Sequence, residues 1–230
     1  IMVGFEESRA NYKHPDRVKV TGTPVRVDFL SQSKAQAKRE LGIPEDTPLV
    51  ASVWGSLGPA HMNEIMTDFI VRACAKPFFN LIHSAGKARY SRMKDALERE
   101  KPDYARLGMD VRDYIYDMPR VMAAADLVLC RAGASTLAEL TAMGKPAILV
   151  PSPNVTNNHQ EKNARVLEEA GGAKVMLEQD FTADSLLGLV SELLQRPERL
   201  KEMSQNMLGL GVPDATDRIA DIVLGLAERK

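Results

Sequence analysis

Apolar runs of strand length alternate with helix-length segments along most of this chain, and that alternation constrains its fold more than any other feature. The plainest unit spans residues 126–140. Leu127–Cys130 is an apolar run the length of one buried strand. It stops at the small-residue turn Ala132-Gly133-Ala134, and a helix then opens with hydroxyls at Ser135 and Thr136 and a carboxylate at Glu139. The stretch Leu49–Val53 repeats the plan. It runs into Trp54-Gly55-Ser56-Leu57-Gly58-Pro59 and then into apolar positions Met62, Ile65, Met66, Phe69 and Ile70, the spacing of one helix face.

Further strands are expected at 17–21, 79–83, 111–115, 146–150 and 173–177. Helices are expected at 33–41, 88–100, 118–125, 159–170 and 182–194, from Pro197 onward, and at 214–228, where Ile219, Ile222, Val223 and Leu226 share a face. Residues 1–16 predict no element. Strands separated by helices in this way pair in parallel through right-handed crossovers. The fold class is therefore α/β: a Rossmann-like parallel sheet flanked by helices, with ligands expected beyond the carboxyl ends of the strands.

Composition removes several function classes. A net charge of −1 provides no basic field for nucleic acid or an anionic membrane surface. No apolar run approaches the roughly 18 residues of a spanning helix. Cys74 and Cys130 have no metal-site or CxxC spacing and read as small buried hydrophobes. The chain opens at Ile1 within what reads as folded sequence, so part of a longer protein is expected.

Five stretches carry chemistry. The turn at Gly133 aims unpaired helix N–H groups at one point and attracts anions. Gly55-Ser56-Leu57-Gly58 is either a second phosphate cradle or a tight turn that needs glycine; it is neither a Walker loop nor a full GxGxxG. Thr136-Leu-Ala-Glu139 fits a capping box, the local pattern favouring that role for Glu139 over acceptance of ribose hydroxyls. Asn157-Asn158-His159-Gln160-Glu161-Lys162-Asn163 is a polar helix start suited to sugar hydroxyls, or simply an exposed loop with a capping Asn. Tyr114 and Ile115 sit where they can frame a flat base, or pack the core.

Together these stretches resemble one family. Val20-Thr-Gly22-Thr-Pro24-Val-Arg26, Gly55-Ser-Leu-Gly58, Tyr114-Ile-x-Asp-Met118, Cys130-Arg-Ala-Gly-Ala-Ser-Thr-Leu-Ala-Glu139 and Asn158-His-Gln160-x-x-Asn163-Ala164 occur in the order and rough spacing of the MurG family. These are GT-B N-acetylglucosaminyltransferases that convert lipid I to lipid II in peptidoglycan synthesis. The resemblance implies that residues 1–26 are the tail of an N-terminal domain and linker, 27–212 a UDP-sugar donor-binding domain, and 213–230 a C-terminal helix. It implies UDP-N-acetylglucosamine (UDP-GlcNAc) as donor, no cofactor, no metal, and inversion at the anomeric carbon. Arg26 and Ser56 would lie near the diphosphate and the backbone of Ile115 against uracil. Ala134, Ser135, Thr136, Leu137 and Ala138 would line the nucleotide, Glu139 would hold the ribose hydroxyls, and Gln160 would contact the sugar, with His159 adjacent. Lipid I and the membrane would be met through the missing N-terminal domain, placing the whole protein peripherally at the inner face of the bacterial cell membrane. No catalytic base is assigned in this chain, which is expected to bind donor with little or no turnover.

The sequence departs from the family pattern at four points. Trp54 and Pro59 stand for the first Gly and the Ala of the usual GGSxGA loop, Thr23 for the Asn of GNPVR, and His159 for a Gln found in some members. Trp54 is bulky where close backbone approach is expected. Two other readings remain open: a non-catalytic nucleotide-binding module, and a GT-B transferase for another lipid acceptor.

Overall fold

A computed structural model describes residues 1–55 and 58–228 of the chain. Its centre is a six-stranded sheet formed by β3 (Leu49–Val53), β4 (Asn80–Ser84), β5 (Met109–Arg112), β6 (Leu127–Cys130), β7 (Ala147–Leu149) and β8 (Ala173–Val175). A separate two-stranded parallel sheet, β1 (Met2–Val3) and β2 (Lys19–Val20), precedes it. The helices are α1 (Lys34–Glu40), α2 (Ala60–Ala73), α3 (Tyr90–Glu100), α4 (Met118–Ala124), α5 (Ala134–Met143), α6 (His159–Glu169), α7 (Ala183–Leu194), α8 (Pro197–Leu210) and α9 (Ala215–Ala227).

The sheet order is β5-β4-β3-β6-β7-β8, and every pairing is parallel. The chain thus works outward from β3 to one edge, returns to the middle, and works outward again from β6. This is a doubly wound sheet, and its topological switch lies between β3 and β6. Alternate side chains feed two cores. Val50, Leu81, Leu127, Leu129 and Ile148 meet Met62, Met66, Phe69 and the α7 leucines on one face. Leu49, Ala51, Ile82, Val128, Cys130 and Leu149 meet residues of α4, α5 and α6 on the other. Both cysteines are buried free thiols, and burial pushes Cys130 up to about 12, so neither is poised as a nucleophile.

The amino ends of the two central strands are tied together by one carboxylate. Asp126 accepts from Leu49 N at 2.8 Å and pairs with Lys38 at 3.1 Å and with Lys34. Burial works against its charge, but Lys34, the Leu49 N–H and Lys38 outweigh it and hold Asp126 below the usual carboxylate range. Beside this cluster, the buried Lys145 amine donates to Ala123 O (2.6 Å) and Ala125 O (3.1 Å), closing the end of α4.

Most expected elements form within a residue or two of the expected bounds, and three differences matter. Strand β5 ends at Arg112, so Ile115 lies in the loop beyond it. Residues 2–3 form a strand that the first sixteen residues did not predict; two residues carry no periodicity, and a parallel partner defines them. Helix α5 starts at Ala134 with Gly133 as its N-cap and makes no side-chain cap bond. The capping box read from Thr136 and Glu139 therefore does not form: Thr136 is already the third residue of the helix, and the N-cap position is held by Gly133, which has no side chain to accept a bond.

Lys145 makes a testable contribution. Burial pushes its amine down to about 7, with Lys34 and Lys38 lowering it further and Asp126 opposing them. Above that value the unfolded chain holds a proton that the folded chain does not, so stability rises with pH. Urea denaturation at pH 7 and pH 9 should show wild type gaining about 2 kcal/mol relative to Lys145→Met over that interval. An unchanged difference would show that Lys145 folds as an ammonium.

Candidate functional site

Because all six strands run in parallel, the loops that follow them emerge on one edge of the sheet. That edge carries the Gly55–Gly58 turn after β3, Lys87 after β4, Tyr114 and Ile115 after β5, Arg131 to Glu139 after β6, and Pro151 to Gln160 after β7. Ile115, Ala134 to Glu139 and Gln160 are thus collected along one rim.

At the centre of the rim, β3 pairs directly with β6 (Val53 opposite Cys130), so α2 and α5 begin from neighbouring strands. Neither helix has a side-chain cap: α2 starts after Pro59 and α5 after Gly133. Uncapped first turns leave backbone N–H groups unsatisfied and a positive dipole end exposed. In α5 these donors belong to Ala134, Ser135 and Thr136. Leu137 is different, since its N–H is bonded to Gly133 O at 2.9 Å and its side chain is fully buried. It supports the turn from inside; Ala138 lies one residue further in.

The β3 turn needs its glycines. Gly55 and Gly58 have φ of +95° and +58°, and Gly58 N bonds Gly55 O at 3.3 Å. A Cβ on Gly58 would lie 1.8 Å from Ala85 O, so no other residue fits there. Ser56 lies outside the described residues. Trp54 does not fill the rim: it is 2% exposed and packs edge-on against Phe181, with ring centroids 5.3 Å apart. Its bulk is absorbed by the core, which answers the steric objection raised by its replacement of a glycine.

Glu139 is half-buried on α5, and its charged neighbours come from the segment before α1. Burial raises its proton affinity, Arg26 opposes that, and Asp28 adds to it. Arg26 lies over the Phe29 ring at 5.0 Å and pairs with Asp28 at 3.5 Å. Arg26 and Glu139 are therefore brought to the same place by distant parts of the sequence. With no cap bond to make, Glu139 is a carboxylate held at the rim, available to a ligand.

At the β5 end, Ile115 is 2% exposed and belongs to the core beneath this loop. Tyr114 and Tyr116 form an exposed edge-to-face pair with centroids 4.9 Å apart, and the Lys87 ammonium lies 5.9 and 5.4 Å from the two rings. Lys87 was missed by sequence reading. A single exposed lysine after a strand gives no signal until the aromatic pair is seen beside it.

At the β7 end, Asn157 and Asn158 both adopt left-handed backbone (φ +56° and +51°), which asparagine tolerates better than most residues. Asn158 does not cap α6; its amide donates to Glu161 at 2.6 Å. Gln160 accepts from Ser152 N at 3.0 Å through its carbonyl, leaving its NH₂ group to donate elsewhere. His159 is exposed, and its Nδ1 donates to Thr156 O at 2.9 Å. Asn157, His159, Lys162 and Asn163 line an open cleft of about 660 Å³ shared with Phe5 and Ser8. A second groove, about 270 Å³ between α2 and α3, runs away from the rim toward Arg99 and Glu100.

A model of the glycosyltransferase family 28 C-terminal domain matches residues 50–219. The chain belongs to this family. The family 28 match takes in β3 from Val50 onward, β6, helices α2 and α5 and the whole β7–α6 loop. Similar full-length proteins include the UDP-N-acetylglucosamine–N-acetylmuramyl-(pentapeptide) pyrophosphoryl-undecaprenol N-acetylglucosamine transferase of Acetivibrio thermocellus, 40% identical over 100% of this chain and 61% of its own length. The enzyme of the same name from Desulfitobacterium hafniense is 38% identical over 99% of this chain and 62% of its own. The chain thus spans about 60% of the length of these curated relatives. Among solved structures, Acinetobacter baumannii MurG superposes with a TM-score of 0.71 at 24% identity, over 90% of this chain and 57% of that one. A UDP-GlcNAc 2-epimerase from Neisseria meningitidis gives 0.69 at 15% identity, over 97% and 61%. At those identities the structural likeness establishes the doubly wound fold alone.

The open Glu139 carboxylate makes a stability prediction. Its folded proton affinity is raised, so its contribution to stability falls as pH rises through the carboxylate range. Glu139→Gln should therefore melt at or above the wild-type temperature at pH 7. A clear loss of melting temperature would restore a capping role.

Proposed function

We propose that this chain is the donor-binding part of an inverting glycosyltransferase that moves N-acetylglucosamine from UDP-GlcNAc to lipid I. The observation that carries the proposal is the pair of uncapped helix starts, α2 and α5, on adjacent central strands. Two such ends side by side suit a diphosphate, which presents two charged groups within a few ångströms of each other. Arg26 adds a cation at the same rim, and Glu139 is placed to accept ribose hydroxyls. The Tyr114–Ile115 loop supports a base at the β5 end, and Gln160 with the Asn157–Asn158 turn supports the sugar at the β7 end.

In this reading the acceptor hydroxyl attacks the anomeric carbon, the bond to the UDP oxygen breaks, and the configuration inverts. The negative charge that develops on the leaving diphosphate is met by the N–H groups of Ala134 to Thr136 and by Arg26. A base must take the acceptor proton, and we assign none in this chain. No cofactor or metal is part of the proposal. Lipid I recognition and peripheral attachment at the inner membrane face are assigned to the part of the relatives' length that this chain does not span. Among the described residues no helix is long and apolar enough to cross a membrane.

Calorimetry tests the assignment. A charge-assisted hydrogen bond is worth roughly 1.5–3 kcal/mol, or about 10–100-fold in affinity. Glu139→Ala should weaken UDP-GlcNAc binding by that factor without a matching loss of melting temperature. Equal affinity in variant and wild type would remove the ribose role, and selective stabilisation by NAD in a thermal-shift panel would remove the UDP-sugar reading altogether.

A further inference from the structure

Under the rim lies a polar chain that the proposed function does not use. Ser52 of β3, His83 of β4 and Asn63 in the first turn of α2 are 0%, 0% and 5% exposed, within a core that is otherwise apolar. Ser52 Oγ is 3.0 Å from His83 Nδ1, His83 Nε2 is 3.2 Å from Asn63 Oδ1, and Asn63 Nδ2 donates to Ala85 O at 2.7 Å.

The directions of these bonds follow from the last one. Asn63 turns its NH₂ toward a carbonyl, so its Oδ1 can only accept, and His83 Nε2 must carry the proton. Burial pushes His83 down to about 3, which keeps the ring neutral and leaves Nδ1 bare. The Ser52 hydroxyl then donates to Nδ1. Every donor in the sequence Ser52, His83, Asn63, Ala85 points the same way, and every polar atom along the path has a partner.

The chain ends on the carbonyl that seats the β3 turn. A Cβ on Gly58 would lie 1.8 Å from Ala85 O and 2.6 Å from Ala85 C, so the Gly58 backbone rests directly on that peptide. Gly58 precedes Pro59, the first residue of the α2 start. One hydrogen-bonded path therefore joins the carboxyl ends of β3 and β4 to the first turn of α2, and the carbonyl at its end lies against the glycine that feeds that turn. Apolar residues of similar volume would fill this space without desolvating four polar groups. What they would not provide is direction.

We propose that Ser52, His83 and Asn63 are positioning residues that fix the α2 N-terminus for a nucleoside diphosphate. The inference rests on the donor reading given above. None of the three touches ligand; they set where the α2 N–H groups point, and a shift of about 1 Å there is enough to weaken a diphosphate contact strongly. The base and ribose contacts, on β5 and α5, do not depend on them.

The test compares UDP with uridine on the full chain, by calorimetry or by NMR titration for the weaker ligand, with a melting curve for each variant. Ser52→Ala and Asn63→Ala should weaken UDP about tenfold, the worth of one charge-assisted hydrogen bond, and leave uridine within about twofold. Because each leaves a buried partner unpaired, the triple variant Ser52→Ala/His83→Leu/Asn63→Leu, which removes all three side chains of the path and leaves only the Ala85 carbonyl without its partner, is the control for folding. It should melt closer to wild type and still lose UDP selectively. Unchanged UDP affinity in that variant, or a parallel loss of UDP and uridine, would overturn the positioning role while leaving the donor reading intact. A wild-type chain that bound uridine as tightly as UDP would overturn the donor reading, and this inference with it.

Discussion

The parallel pairing of β3 with β6 is the constraint on which the rest depends. It makes the sheet doubly wound, and it starts two helices side by side from the middle of the molecule. Asp126 holds that pairing at its amino end by bridging Leu49 N, Lys34 and Lys38. At the carboxyl end no side chain among the described residues caps α2 or α5. The stable end of the sheet is sealed by charges, and the open end is left with unsatisfied donors. A ligand that brings negative charge completes the second end.

The same asymmetry explains how charged and polar groups are distributed inside the protein. Lys145 is buried against two carbonyls at the amino end and closes a helix. His83 is buried beneath the carboxyl end, where its two ring nitrogens have separate partners. Glu139, by contrast, sits at the rim with only Arg26 and Asp28 as charged neighbours. A carboxylate left in that state is costly to the fold unless something binds it. The family 28 match includes Glu139, while Arg26 and Asp28 lie before it.

Much of the fold was legible in sequence, because the strands are continuous apolar runs and the helices carry a clear apolar face. Leu49–Val53 and Leu127–Cys130 form as expected, and the Thr182 cap of α7 forms with Ser185 as its partner. What local pattern could not show was register and distance. Thr136 and Glu139 have the spacing of a capping box, but the helix begins at Gly133, so the spacing is coincidental there. Trp54 looked like an obstruction until Phe181, over a hundred residues later, turned out to hold it in the core. Ser52, His83 and Asn63 belong to three separate elements, and no motif links them. Gly58 gave a signal, but the reason for the glycine, the Ala85 carbonyl, lies in the loop just after β4.

The central claim is that the two helix starts at the β3–β6 junction together receive a diphosphate. Amide chemical shifts of ¹⁵N-labelled protein, followed during titration with UDP and separately with uridine, test it most directly. UDP should shift the amides of Ala60 to Met62 and of Ala134 to Thr136 together, and uridine should leave both groups in place while moving Ile115. Shifts from UDP confined to the groove between α2 and α3, around Arg92 and Arg99, with Ala134 to Thr136 unmoved, would contradict it.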